Sequence, residues 1–525
     1  MNRIDSICWA GTVGTFPPHG QQPAHTPGRR RPTVPRKERI VNHAAPRPLP
    51  ADFTWGSATA AYQIEGAARE GGRGPSIWDT YSHTPGKTLN GDTGDIADDH
   101  YHRWSEDITH MSALGLDAYR FSISWPRVQP GGSGPFNAEG IAFYTNLVAG
   151  LKAAGIKPVV TLYHWDLPQE LEDQGGWTNR DTAYRFADYA RRMAQELGTD
   201  IDVWTTLNEP WCSAYLGYAS GVHAPGRTDP VAALKAVHHL NLAHGLAGRA
   251  IREELGENTR VSITLNLHVT RMHNPDNPGD QDAHRRIDGL ANRVFLEPLL
   301  DGRYPHDVLA DTADLTDWSF IHEGDTDLIR IPLDILGVNY YSTGMVREAT
   351  SGQGGSDNDG HGNSSHSPWV GADDVEWVQM PGPYTAMGWN IDPAGMTELL
   401  VSLRDRYPNQ PLMVTENGAA FPDEVAPDGR IHDNERVAYL HDHIAAVLDA
   451  RDAGVDVRGY FAWSLLDNFE WGWGYDRRFG IIRVDYETLE RTWKDSAFWY
   501  RAVATGTTLP GVTDWDYTGE PQAQE

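Results

Sequence analysis

The feature that most constrains this chain is an eightfold alternation of two patterns. A short apolar segment ends in polar or aromatic residues, and a helix-patterned stretch follows. The apolar segments are Phe53–Gly66, Leu116–Trp125, Lys157–Leu167, Val203–Pro210, Val261–His268, Ile335–Ser342, Pro411–Gly418 and Val457–Phe469. Residues 137–154 show the helical pattern: Asn137 as N-cap, then Ile141, Tyr144, Leu147, Val148 and Leu151 on one face, then Gly155 as stop. Residues 433–453 repeat it, with Asp433 as cap and Gly454 as stop. Strand-then-helix units in series predict parallel strands joined by right-handed crossovers. Eight such strands close a barrel. The expected fold is therefore α/β: a single (β/α)8 TIM barrel with long βα loops over residues 51–505. An open doubly wound sheet is the alternative, but no Gly-rich phosphate loop follows the first strand.

Composition narrows the function classes. The 525 residues carry 72 acidic against 44 basic side chains, a formal charge of −28. That balance argues against nucleic acid and anionic membrane partners, since both need Lys and Arg in excess. No window approaches the ~20 apolar residues of a membrane-spanning helix. Cys8 and Cys212 are too few for a disulfide framework or a Cys-rich metal site. The 19 Trp and 21 Tyr have flat apolar faces with polar edges, which suit either sugar rings or a large aromatic core.

The ends differ from the middle. Residues 1–50 hold eight basic and two acidic residues, are rich in Pro and lack an apolar period. They are expected to be a disordered extension without function, or to follow from a start codon assigned too early. Arg29-Arg30-Arg31 runs into Pro32-Thr33-Val34-Pro35, not into the apolar stretch of an export signal. A cytoplasmic location is the expectation. Residues 506–525 are expected to be a loose polar tail. Residues 351–375 read as a long surface loop. Asp357-Asn358-Asp359-Gly360 within it lacks the remaining ligands of a calcium loop, so no metal is expected.

Barrel enzymes carry their reacting groups at the C-terminal ends of the strands. Two carboxylates stand out there. Glu209, in Thr206-Leu207-Asn208-Glu209-Pro210, has apolar neighbours Val203, Trp204 and Leu207. Desolvation raises a carboxyl pKa, as a general acid requires. Glu416, in Val414-Thr415-Glu416-Asn417-Gly418, ends the apolar run Leu412-Met413-Val414. On strands four and seven the two can face each other across the barrel mouth, and paired carboxyls are the machinery of glycoside hydrolysis. Cys212 follows closely, with neither a base nor an electropositive setting in view, and is read as packing.

The motifs resemble those of glycoside hydrolase family 1, the β-glucosidase family, over about residues 51–505. Thr206–Pro210 is similar to the family's acid/base motif, and Thr415-Glu416-Asn417-Gly418 to its nucleophile motif. Phe53-Thr54-Trp55-Gly56-Ser57-Ala58-Thr59-Ala60-Ala61-Tyr62-Gln63-Ile64-Glu65-Gly66 is similar to its N-terminal signature. The resemblance implies that Glu209 protonates the leaving oxygen and later activates water, while Glu416 attacks the anomeric carbon. It implies support of Glu416 by Arg120 and Tyr341, with Asn339 nearby. Gln63, His164, Asn208 and Glu470 would grip the sugar hydroxyls, with Trp463 as platform and Trp471 as a further donor. Trp165 and Trp389 would line the aglycone side. Glu470 and Phe479 stand where enzymes acting on 6-phosphorylated sugars differ, so neutral glycosides are implied.

The expectation is a retaining β-glucosidase acting on cellobiose, short β-glucans or aryl glucosides, and on β-fucosides and β-galactosides that differ at single hydroxyls. No cofactor is implied, and the partner is the small-molecule substrate, with a homo-oligomer possible. A transglycosylating enzyme, a retaining endo-glycanase on the same barrel and a dead sugar-binding barrel stay open as alternatives.

Overall fold

The computed structural model describes residues 47–350, 361–362 and 364–521. All eight apolar segments form strands: β1 (Thr54–Ala58), β2 (Ala118–Ser122), β3 (Lys157–Tyr163), β4 (Val203–Asn208), β5 (Val261–Asn266), β6 (Ile335–Asn339), β7 (Leu412–Asn417) and β8 (Val457–Trp463). They pair in parallel and in chain order, and β8 closes onto β1 through pairs such as Ala58 with Trp463. Both faces of such a sheet are covered, which is why the strands read as unbroken apolar runs. Most observed strands stop short of their sequence segments. The apolar run from Phe53 pairs only as far as Ala58, then turns into a short helix at Ala61–Ile64.

One main helix follows each strand: α1 (His100–Leu114), α2 (Ala138–Ala153), α3 (Asp181–Leu197), α4 (Pro230–Leu255), α5 (Pro278–Asp288), α6 (Pro393–Arg406), α7 (Asn434–Asp452) and α8 (Asp495–Thr505). In α2 the Asn137 side chain accepts the Glu139 N–H, so the expected cap is present. In α7 it is not. Asp433 is buried, and its oxygens accept the Ser496 N–H at 2.8 Å and the Ser496 hydroxyl, and pair with Arg436. Its carboxylate ties α7 to α8 instead of capping α7, because two donors and a cation outcompete one frayed amide.

The aromatic load divides between core and site. Trp78, Trp125, Trp177, Trp204 and Trp499 are fully buried, and Trp125 stacks on Tyr189 at 5.0 Å. Buried charges are paired with one another. Asp107 takes both His100 and Arg491, and Lys494 lies between Asp423 and Asp467. Among the described residues no helix is long and apolar enough to cross a membrane.

The end segments need two corrections. Residues 1–46 lie outside the described residues, and so does most of the segment expected to be disordered. Its last residues are packed: Leu49 is buried with its N–H on the Thr507 carbonyl, and Arg47 pairs with Asp449 and Asp452. The expected loose tail is mostly exposed but touches the domain at several points as far as it is described. Trp499 donates to the Gly511 carbonyl, Glu520 accepts the Trp493 N–H, and Arg430 sits over the Tyr517 ring at 3.6 Å. Aromatic and cationic side chains anchor a segment that its polarity alone would leave in solvent. The Asp357–Gly360 stretch lies outside the described residues. Downstream, Trp369 is buried and Val375–Trp377 joins a three-stranded sheet with Val269–Met272 and Thr343–Glu348.

Candidate active site

Irregularities at the C-terminal ends of two strands aim the two carboxyls. The β6–β7 ladder shifts register between Val414 and Glu416, and the β4–β5 ladder between Thr205 and Asn208. Such shifts turn side chains away from the regular alternation. Immediately after β4, Glu209 has φ +44, a conformation L-residues rarely adopt, and its N–H is held by the Thr264 carbonyl. Trp165 at φ +76 and Trp471 at φ +43 share that conformation. Strained backbone of this kind persists where surrounding contacts over-determine it.

Of the residues named from sequence, Arg120, Asn208, Glu209, Asn339, Tyr341 and Glu416 form one hydrogen-bonded chain. Arg120, from β2, donates to Glu416 Oε1 at 2.6 Å and to Asn208 Oδ1 at 2.7 Å. Tyr341 donates its hydroxyl to Glu416 Oε2 at 2.7 Å. Asn339 donates to Glu209 Oε1 at 2.7 Å and to Asn208 Oδ1 at 3.2 Å, and its own carbonyl accepts from Thr415 at 2.8 Å. The two carboxyls therefore have different settings. Glu416 takes a guanidinium and a phenol, whereas Glu209 takes an amide and the Cys212 thiol, 3.2 Å from Oε2. Burial first, then the charge of Glu416, push the Glu209 carboxyl above the usual carboxylate range. Asn339, Cys212 and Arg120 pull it partly back.

The sugar-gripping candidates surround this pair. Asn208 Oδ1 is fixed as an acceptor by Arg120 and Asn339, so its Nδ2 donates to His164 Nε2 at 3.0 Å. Burial, reinforced by the Arg120 charge, holds the His164 ring neutral. Its remaining proton then sits on Nδ1, which is buried with no protein partner. Gln63 donates from Nε2 to Asn468 and to the Phe469 carbonyl, which leaves its buried Oε1 without a partner. A donor and an acceptor thus wait beside Trp463 and Trp471, whose rings lie 5.9 and 6.0 Å from that of His164. Buried polar groups left open in this way are placed for a polar ligand. Burial pushes Glu470 up to about 8, with Glu416 and Glu209 adding to it.

A cavity of about 450 Å3 leads outward from Glu209, Asn339 and Tyr341. Trp389 lines it, and its ring lies 5.3 Å from Tyr341 and 6.2 Å from Phe479. Trp165 does not line it. Its indole donates to the Asn208 carbonyl at 2.9 Å and its ring packs 4.6 Å from Trp471. The left-handed backbone at Trp165 turns it inward behind His164, a turn the sequence does not announce. Sequence reasoning missed the opposite wall. Trp211, Trp369 and Trp377 form a row with centroids 5.1 and 5.0 Å apart, and His268 fits between the first two. Trp211 stands two residues after Glu209, and that proximity was the available signal.

Another cavity, of about 530 Å3, opens at the opposite end of the barrel, beside Lys152 and Arg260. Those cations pair with Asp200 and Asp202, and chemistry in such barrels sits at the other face. Among the described residues no three His, Cys, Asp or Glu side chains gather as a metal set.

The family model described as glycosyl hydrolase family 1 matches residues 45–508. A bifunctional β-D-glucosidase/β-D-fucosidase of Bifidobacterium breve is 54% identical over 86% of this chain and 97% of its own length. The crystal structure of a psychrophilic β-glucosidase from Micrococcus antarcticus is 48% identical. It superposes with a TM-score of 0.84, covering 88% of this chain and 98% of that one. A family 1 β-glucosidase from Thermotoga maritima is 42% identical with a TM-score of 0.82, over 89% of this chain and 100% of that one.

Proposed function

The chain belongs to glycosyl hydrolase family 1, and from that premise we propose that its barrel mouth is a retaining β-glucosidase site with Glu209 as acid/base and Glu416 as nucleophile. The observation that carries the assignment of roles is the contrast between the two carboxyls. Glu416 accepts from Arg120 and Tyr341, a donor set suited to an anion that attacks. Glu209 is buried and pushed toward its protonated form, which suits a group that must first give a proton.

The reaction runs in two displacements. In the first, a Glu416 oxygen bonds to the anomeric carbon as the glycosidic C–O bond breaks. The Glu209 proton passes to the leaving oxygen. Losing that proton makes Glu209 a base, and it then takes a proton from water as the water oxygen attacks the anomeric carbon. The Glu416–sugar bond breaks, and the second inversion restores the β configuration. Gln63 Oε1, His164 Nδ1, Asn208 and Glu470 bind hydroxyls of the terminal sugar over Trp463. A site whose buried polar atoms are completed by the correct sugar discriminates against one that leaves them open.

Three carboxyls, Glu209, Glu416 and Glu470, surround the terminal sugar, and Arg120 is committed to Glu416 and Asn208. A phosphate there would face three acids, with Arg477 beside Glu470 as the cation within reach of that cluster. With 4-nitrophenyl substrates, β-glucoside is expected to exceed β-glucoside 6-phosphate in kcat/KM by at least about 100-fold. β-Fucoside is expected to turn over. A preference for the phosphorylated sugar would overturn the proposal.

Trp389 forms one wall of the leaving-group cavity. Aromatic stacking contributes about 0.5–1.5 kcal/mol, so Trp389→Ala should raise KM for aryl glucosides by roughly three- to tenfold. The limiting kcat should change less. Unchanged kinetics would place Trp389 outside the path of the leaving group.

A further inference from the structure

Cys212 has no part in the two displacements, yet its sulfur lies against the carboxyl that performs both proton transfers. The contact follows from the local backbone. After the left-handed turn at Glu209, the Cys212 N–H donates to the Glu209 carbonyl at 3.0 Å. That bond brings the side chains of positions 209 and 212 to one side, with Sγ 3.2 Å from Oε2. The Asn266 amide donates to the same sulfur at 3.4 Å. With a donor already directed at the sulfur, its own S–H is turned to the carboxyl. The reading of Cys212 as packing is corrected here: it is buried, but it is also a hydrogen-bond partner of Glu209.

The two Glu209 oxygens are therefore distinct. Oε1 accepts the Asn339 amide, which is a donor whatever the protonation state. The transferable proton then resides on Oε2, the oxygen that Cys212 faces. We propose that Cys212 is a positioning residue for the acid/base: its thiol holds Oε2 in line with the leaving oxygen and donates S–H to it once the proton has gone. The thiol keeps its own proton throughout. The proton that moves is that of Oε2, delivered to the leaving oxygen as the C–O bond breaks and regained from water in the second displacement. This rests on the reading of Glu209 as acid/base.

The other groups that face Glu209 set the sign of the effect. Glu416 from β7, and Glu470 and Tyr341 from the loops after β8 and β6, interact with it electrostatically, and Arg120 from β2 opposes Glu416. Only Asn339 and Cys212 donate hydrogen bonds to its oxygens among the described residues. A donor to the ionised form favours it. Removing the thiol should therefore leave Glu209 protonated to higher pH, which helps the acid step at alkaline pH and weakens the base step at neutral pH.

The test compares Cys212→Val, which removes the donor at similar volume, with Cys212→Ser, which keeps one. Both are made in the full chain and assayed with aryl β-glucosides across pH. The alkaline limb of kcat/KM should move up by about half a pH unit in the Val variant, a thiol being a weak donor. In the Ser variant it should stay or move down. With 2,4-dinitrophenyl β-glucoside, whose departure needs no acid, the Val variant should lose about three- to tenfold in kcat at neutral pH. Azide, a nucleophile that needs no base, should restore that loss. Equal limbs in the two variants, or an equal loss in both without azide rescue, would reduce Cys212 to packing. Glu209→Ala run alongside separates the two claims. If azide fails to rescue it, the acid/base reading itself falls. If azide rescues it while the Val limb stays put, only the role of Cys212 falls.

Discussion

Glu416→Ala is expected to lower kcat by about 10⁴- to 10⁶-fold on every substrate, whatever its leaving group, since removal of a nucleophile leaves only binding and electrostatic help. That loss is roughly 5.5–8 kcal/mol of barrier. Binding of glucose should persist, because Gln63, His164, Asn208, Glu470 and Trp463 are untouched. The space left by the carboxylate lies between Arg120 and Tyr341, which donate to it at 2.6 and 2.7 Å. A small anion such as azide or formate fits that donor pair. It should attack an activated β-glucoside from the nucleophile's face and give an α-linked product, detectable by nuclear magnetic resonance. A β-linked product, or near-native turnover, would remove Glu416 from the nucleophile role.

Glu209→Ala should have an effect that depends on the leaving group. Cellobiose, whose leaving oxygen must be protonated, should lose about 10³- to 10⁴-fold in kcat/KM. A 2,4-dinitrophenyl glucoside should keep kcat/KM within about tenfold, while its kcat falls because the base for the second displacement is gone. Azide should then raise kcat and yield a β-linked azide, the opposite anomer from the Glu416 variant. The two variants thus fail in different ways, and the pair of products identifies both roles. An equal loss on both substrates would mean that Glu209 holds the fold or the sugar rather than a proton.

The barrel was legible because parallel strands covered on both faces must be apolar throughout, and eight such runs alternate with helix-patterned stretches. Their ends were less legible. Asp433 reads as a cap but is claimed by Ser496 and Arg436, neighbours supplied by tertiary packing. The segments around residues 47–50 and 506–521 read as loose because their few anchors, Leu49, Trp515 and Tyr517, are scattered among polar residues.

In the site, the motif residues Glu209, Glu416, Arg120, Asn339 and Tyr341 converge because each sits at or just past a strand end. The surroundings of Trp165 and Cys212 were less legible for one shared reason. Their side-chain directions depend on residues with positive φ, Trp165 itself and Glu209, and nothing in a non-glycine residue type signals that conformation. The Trp211–Trp369–Trp377 wall joins two βα connections, those after β4 and β6, so no spacing along the chain reveals it.

The assignment of Glu416 can be tested directly by trapping its covalent intermediate. The protein is incubated with 2,4-dinitrophenyl 2-deoxy-2-fluoro-β-glucoside, in which fluorine slows both displacements and the good leaving group lets the glycosyl-enzyme accumulate. Mass spectrometry of the digested protein should show a single fluoroglucosyl adduct on the peptide containing Glu416, appearing as activity is lost. An adduct on Glu209 or Glu470, or inactivation with no adduct on any carboxylate, would contradict the assignment.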